Sequence, residues 1–178
     1  MLEGKNVNLR IMEKEDLPLF AEWANKPEVW GEYNPLLQMS RTEAEKMFES
    51  PHEAKAFIIE RKDGTKIGFI THFCVLHPAG RQLEIGYSLV PSERGKGCGT
   101  EATKLMVDYL FLSKDTMRIQ AQTDPRNVAS QRILEKVGFK KEGTLRKSFF
   151  MRGEWRDAYV YSILREEWKE PKILTKTA

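Results

Sequence analysis

Cysteine is scarce in this chain: its 178 residues hold only Cys74 and Cys98. Two thiols cannot build a disulfide framework, so a reduced, cytoplasmic compartment is the expectation. Histidine is nearly as rare, and scattered, at His52, His72 and His77. Together these residues do not supply the four closely spaced ligands of a tetrahedral zinc site, so no metal is expected. No apolar run approaches the ~20 residues of a membrane span, and Met1–Lys5 opens no secretory stretch, so no membrane partner is expected. An excess of one charge is also missing. Lys+Arg number 29 against 26 Asp+Glu, a net +3, which is not the basic footprint of a dedicated nucleic-acid binder. Low-complexity segments and internal repeats are absent, and a hydrophobic fraction of 40% excludes a disordered chain. What remains is a globular chain of one-domain length. It is read as a single domain over 1–178, with a core at about 5–166 and a polar, frayed tail at 167–178.

Hydrophobic periodicity divides that domain into short alternating elements. Val7–Met12 alternates as a strand, and Glu15–Asn25 places Leu17, Phe20, Ala21 and Ala24 at helical spacing. Ser40–Glu43 is a capping box for a helix to about Glu49, which Pro51 then stops. Lys55–Arg61 and Thr65–Leu76 flank Asp63-Gly64, a hairpin signal. After a turn at Pro78-Ala79-Gly80, Leu83–Val90 reads as a strand. Gly97–Leu112 is helical, Met117–Gln122 a strand, and Asn127–Val137 a helix ended by Gly138. Glu142–Met151 and Ala158–Arg165 close the chain as two strands. The order β-α-α-β-β-β-α-β-α-β-β predicts a mixed α/β layout with one main sheet and helices on its faces.

The most informative segment is Pro91-Ser92-Glu93-Arg94-Gly95-Lys96-Gly97-Cys98-Gly99-Thr100, between a strand and a long helix. Glycines at 95, 97 and 99 let the backbone approach a ligand closely and take left-handed angles. A helix N-terminus offers free N–H groups and a favourable dipole to an anion. Arg94 and Lys96 add positive charge, and Thr100 can donate a hydroxyl from the first turn. This describes a pyrophosphate cradle. The P-loop spacing is absent, and the dinucleotide fingerprint fails because Thr100 stands where its third glycine is required.

Arg94-Gly95-Lys96-Gly97-Cys98-Gly99 resembles the acyl-CoA signature [QR]-x-x-G-x-[GA] of the GNAT superfamily of N-acetyltransferases. Glu84–Leu89 is similar to the strand before that loop, and Asn127–Ser130 with Leu134–Phe139 to the second cofactor helix. Val7–Arg10, Glu15-Asp16-Leu17 and Gly153-Glu154-Trp155-Arg156-Asp157 resemble the ribosomal-protein (RimJ/RimL) branch. The resemblance covers roughly residues 5–166.

It implies a GNAT-like acyl-CoA N-acyltransferase fold: a mixed, mostly antiparallel, splayed sheet flanked by helices, with acetyl-CoA wedged where the strand ending at Val90 parts from Met117–Gln122. Backbone at Leu89 and Val90 would pair with the pantetheine arm. Amides of Arg94, Gly95, Lys96, Gly97, Cys98, Gly99 and Thr100 would hold the pyrophosphate, and Asn127 would reach the cofactor from the next helix. The implied reaction is direct attack of an amine on the thioester in a ternary complex, with an N–H near Leu89 as oxyanion donor. Glu84 is the candidate base, or else an ordinary polar or arginine-paired strand residue. Ser130 is the candidate acid for the leaving thiolate, because Leu134 stands where many relatives carry a tyrosine. Cys98 is read as a bystander, and the histidines as surface residues of strands or loops.

On the acceptor side, residues 13–32 hold six acids and two bases. That charge is either a solvated helix face or a wall suited to a cationic amine. Trp23 fits the core, whereas Trp30 and Tyr33 are loop candidates for lining a substrate groove. Residues 140–156 lean basic, which is either solvated strand charge or an attraction for phosphate. Asp157 is read as structural. The expected acceptor is a protein N-terminal α-amine. The alternatives are a polyamine or aminoglycoside-like amine, or a CoA-binding sensor without turnover. A homodimer stays open.

Overall fold

The computed structural model describes residues 1–49, 54–77, 80–168 and 171. The alternating stretches form β1 (Leu2–Glu3), β2 (Val7–Ile11), β3 (Lys55–Arg61), β4 (Lys66–His77), β5 (Gly80–Leu89), β6 (Arg118–Thr123), β7 (Lys140–Met151) and β8 (Glu154–Leu164). The helical ones form α1 (Leu17–Asn25), α2 (Pro27–Trp30), α3 (Arg41–Glu49), α4 (Cys98–Ser113) and α5 (Val128–Val137). Local chemistry explains several boundaries. Ser40 and Glu43 exchange backbone-to-side-chain hydrogen bonds of 2.7 and 3.2 Å, which is the capping box. Asp63 accepts from the Thr65 amide in the β3–β4 turn. The helix stop at Pro51, the turn at Pro78-Ala79, His52, the His77 side chain and most of the tail lie outside the described residues.

The strands make one sheet in the order β1-β2-β3-β4-β5-β6-β8-β7. Its strand pairs are antiparallel apart from one parallel seam between β5 and β6. That seam holds only at Leu83–Ile119 and Glu84–Gln120. Past it, Ile85–Leu89 stays on β4 while Ala121–Thr123 stays on β8, so the two strands part. The fold is the GNAT-like splayed sheet.

Alternation sends one set of side chains to each face. Val7, Leu9, Ile59, Ile70, Ile85 and Ile119 pack under α4 through the fully buried Ala102, Leu105, Met106 and Leu110. A fully buried leucine such as Leu105 contributes about 1.5–3 kcal/mol. The opposite face packs Ile58 and Phe69 against Leu17, Phe20, Ala21 and Trp23 of α1.

Three sequence expectations change. The single-turn helix α2 carries Trp30 as its last residue, where a loop was expected. Asp16 is no part of an acidic wall. It is buried between Arg10 at 2.9 Å and Lys66 at 2.6 Å, and Glu22 likewise pairs with Lys26. Burial works to raise the Asp16 pKa, but Arg10 and Lys66 outweigh it and hold the carboxyl well below the usual carboxylate range. His72 is not a surface residue: it is 2% exposed, between the rings of Phe57 and Tyr109. Its register partner Ile85 faces the α4 core, and a directly opposed pair shares a face.

Candidate active site

The opening between β5 and β6 continues into a cavity of about 780 Å³. Five pieces of chain line it. The end of β5 supplies Tyr87, Ser88 and Leu89, and the glycine loop with the start of α4 supplies Arg94, Gly95, Gly97, Gly99 and Thr100. The start of α5 supplies Asn127, Ala129 and Ser130, and the 27–34 segment supplies Trp30 and Tyr33. Arg152 of the β7–β8 turn also lines it. Val90, Lys96 and Cys98 lie in the loop but off the lining, and Glu84 of β5 is off it too.

The loop geometry follows from its glycines. Gly97 caps α4 at φ 87° with no side-chain hydrogen bond, so the amides opening the helix have no side-chain competitor. Gly99 lets α5 approach: an added Cβ would meet Ile133 Cδ1 at 3.0 Å. The Cys98 thiol is pushed up in pKa by burial, with Glu93 and Glu101 adding to it, so it is held as a thiol and not activated.

The two loop cations do not stand free as expected. Arg94 donates from Nε to the Leu89 carbonyl at 2.9 Å and from Nη2 to the carbonyls of Glu28 at 3.1 Å and Val29 at 2.8 Å. Lys96 donates to Glu93 at 3.2 Å. Positive charge on the lining comes also from Arg132 and Lys136 of α5, which sequence reasoning missed. Their signal was their i, i+4 spacing on the face that also carries Ala129 and Ile133.

The Val90 N–H donates to the Ile67 carbonyl of β4 at 2.9 Å. By strand alternation, the Leu89 N–H then faces the gap. Glu84 is 9% exposed and accepts at Oε2 from the amides of Gln120 at 2.7 Å and Gln122 at 3.2 Å. Its partners are therefore glutamines of β6, not an arginine. Glu84 pairs with Phe73, on the sheet face opposite Tyr87.

Ser130 has a partner the sequence reading missed. Tyr87 Oη stands 3.0 Å from Ser130 Oγ. Burial pushes the Tyr87 pKa up to about 12, only partly offset by the Ser130 bond, so the phenol keeps its proton. Leu134 left the helix without a tyrosine, and β5 brings one to the same hydroxyl. Asn127 is the side-chain N-cap of α5, with Oδ1 accepting from the Ser130 amide at 3.1 Å.

A sheet that parts at one parallel seam, above a glycine-rich helix start with no side-chain cap, defines an acyl-CoA-binding transferase. The family model of the acetyltransferase (GNAT) domain matches residues 6–140, and the chain belongs to the GNAT family of acetyl-CoA-dependent N-acetyltransferases. It is 35% identical over 178 residues to the Bacillus subtilis protein named "Probable N-acetyltransferase YjcK", covering 94% of this chain and 98% of that one. It is 28% identical over 173 residues to spermidine N(1)-acetyltransferase of Escherichia coli K12, covering 94% and 91%. The solved structure of RimL, a ribosomal L7/L12 alpha-N-protein acetyltransferase in complex with coenzyme A, superposes at a TM-score of 0.78. It is 18% identical and covers 92% of this chain and 97% of that one, a likeness of fold alone. The co-substrate is acetyl-CoA. Among the described residues no group of three or more His, Cys, Asp or Glu is arranged to hold a metal, and no helix is long and apolar enough to cross a membrane.

Proposed function

We propose that the enzyme acetylates a protein N-terminal α-amine, in the manner of the RimJ/RimL branch. One observation carries this reading: the scarcity of base at the cavity. Among the described residues its lining holds no histidine, and its carboxylates, Glu28 and Glu32, stand on the acceptor segment. Glu84 lies off the lining, under two amide donors. An α-amine, with a pKa of about 7.7–8.0, is substantially neutral without strong help, whereas an aliphatic amine near 10.4 is not. Glu84, acting through a water, is base enough for the former.

The remaining roles follow. Bound acetyl-CoA supplies the thioester. The amides of Arg94–Thr100 and the cations Arg132 and Lys136 hold its phosphates, with Asn127 beside them. The Leu89 N–H stabilises the thioester oxygen as charge develops there. Ser130 delivers the proton to the leaving sulfur, and Tyr87 donates to Ser130 behind it. Trp30 and Tyr33 wall the acceptor.

A second reading, acetylation of a polyamine, is favoured by Glu28 and Glu32 on the lining and by the spermidine acetyltransferase relative. Thiol release with N-terminal peptides and with spermidine, followed from pH 6.5 to 9.5, separates the two. The peptides are expected to exceed spermidine at least about tenfold in kcat/KM at pH 7.5. Faster turnover of spermidine at that pH would overturn the α-amine reading. Ser130→Ala is expected to lower kcat about tenfold, with the KM for acetyl-CoA little changed. That is less than the usual effect of losing a general acid, because Tyr87 remains within reach. Unchanged turnover would remove the role.

A further inference from the structure

The five carbonyls from Glu28 to Glu32 each accept a hydrogen bond from a side chain. Glu28 and Val29 accept from Arg94, and Val29 also from Ser88 Oγ at 3.2 Å. Trp30 accepts from the Asn34 amide. Gly31 accepts from Arg152 at 3.1 Å, and Glu32 from Arg156 at 3.3 Å. The donors come from both sides of the parted strands. Ser88 belongs to β5, and Arg94 also holds the Leu89 carbonyl at its end. Arg152 and Arg156 belong to the β7–β8 hairpin, which is bound to β6 through β8. Arg156 is further oriented by Asp124, just past β6. The same Nη1 that reaches Glu32 lies 3.4 Å from the buried Asp124 carboxylate, while Nε meets Glu154 at 2.7 Å. A main chain with this many outside donors is fixed by its surroundings, because a short helix such as α2 supplies few bonds of its own.

We infer that residues 28–32 form a strap tied across the mouth of the splayed sheet, and that Arg156, oriented by Asp124, is a positioning residue for the amine acceptor. The strap carries Trp30 and ends beside Tyr33. Its ties to both strands make the acceptor wall follow the width of the gap in which acetyl-CoA lies. The gap's β5 side and the glycine loop hold their shape without Arg156. Loss of the β8 tie therefore loosens the acceptor wall and leaves the cofactor cradle in place. The wobble appears as weakened acceptor capture, because small misplacements at a reacting centre are costly.

The inference rests on the reading of Trp30 and Tyr33 as the acceptor wall, so the test carries a separate variant for that reading. KM values for acetyl-CoA and for the fastest acceptor of the peptide and spermidine series are measured on the full chain. Arg156→Gln is expected to raise the acceptor KM about tenfold and to leave the acetyl-CoA KM within about twofold. Arg156→Lys is expected to recover part of the loss, because one ammonium can meet Asp124 or the Glu32 carbonyl. Arg152→Gln, at the exposed turn, is expected to move the acceptor KM the same way by about threefold, and serves if Arg156→Gln does not fold. An unchanged acceptor KM, or equal rises in both KM values, overturns the inference. Trp30→Ala tests the wall itself. If it leaves the acceptor KM unchanged, the wall reading has failed. If it raises that KM while Arg156→Gln and Arg152→Gln do not, the strap has failed and the wall stands.

Discussion

Gly68→Ala is expected to destabilise the fold by at least about 3 kcal/mol and to weaken acetyl-CoA binding in whatever fraction still folds. A Cβ at Gly68 would lie 2.2 Å from the Ser88 carbonyl oxygen, 2.9 Å from Leu89 Cδ2 and 3.0 Å from Leu89 Cα. The obstacle is backbone, so no rotamer change relieves it. Gly68 pairs with Leu89 across β4 and β5, and the alanine would push apart the strands that carry the proposed oxyanion donor. Ordinary overpacking costs about 1–3 kcal/mol, with side chains yielding, and this contact exceeds it because a strand must move. Urea unfolding with an unchanged m-value measures the loss. A loss under about 1 kcal/mol would show that β4 and β5 separate there freely.

His72 sets the second large effect, and its direction follows from its burial. Both ring nitrogens lack a hydrogen-bond partner among the described residues. Burial, with Lys114 and Lys55 adding repulsion, lowers its pKa to about 4. Unfolded, the same imidazole titrates near 6.5. Between those values the unfolded chain binds the proton and the folded chain does not. This contribution is therefore complete above about pH 6.5 and is lost as pH falls toward 4, by up to about 3 kcal/mol. His72→Phe is expected to flatten that loss. It should also stabilise the protein near neutrality by about 1–2 kcal/mol, since an orphaned polar group leaves an aromatic sandwich. Unfolding free energies of both proteins at pH 7.5, 5.5 and 4.5 check this. Equal acid losses in the two would exclude His72 as a main source.

Periodicity and turn chemistry made most of the fold legible in the sequence. Strands β2 to β8 and helices α1, α3, α4 and α5 each carry their own repeat or cap, and local signals of that kind survive without the rest of the chain. The four residues of α2 are too few to show a period, and β1 has two. The glycine loop was legible because close backbone approach and left-handed angles leave few residue types to choose from. The duties of Arg94 and Arg156 were not. A guanidinium reaching carbonyls 65 or 124 positions away leaves no local trace, and each arginine reads as free charge until the chain is folded. Tyr87 stayed hidden for a related reason. Its alternation with Ile85 and Leu89 gives its sheet face, but only the arrival of α5 brings Ser130 to it. His72 misled because histidine is commonly exposed, while its neighbours Ile70 and Ile85 on the α4 face were the better guide.

The seam of two residue pairs between β5 and β6 also bears on how the chain comes together in time. Strands β1 to β5 pair antiparallel with sequence neighbours, and so do β7 and β8 beyond the seam. Apart from β2 and β3, which α1 to α3 separate in the chain, these neighbours can pair early at low loop-closure cost. The parallel junction must wait for α4, the crossover between the halves, to dock. Amide exchange is then expected to resolve two cooperative units that meet at Leu83–Glu84, with the seam opening before either half melts.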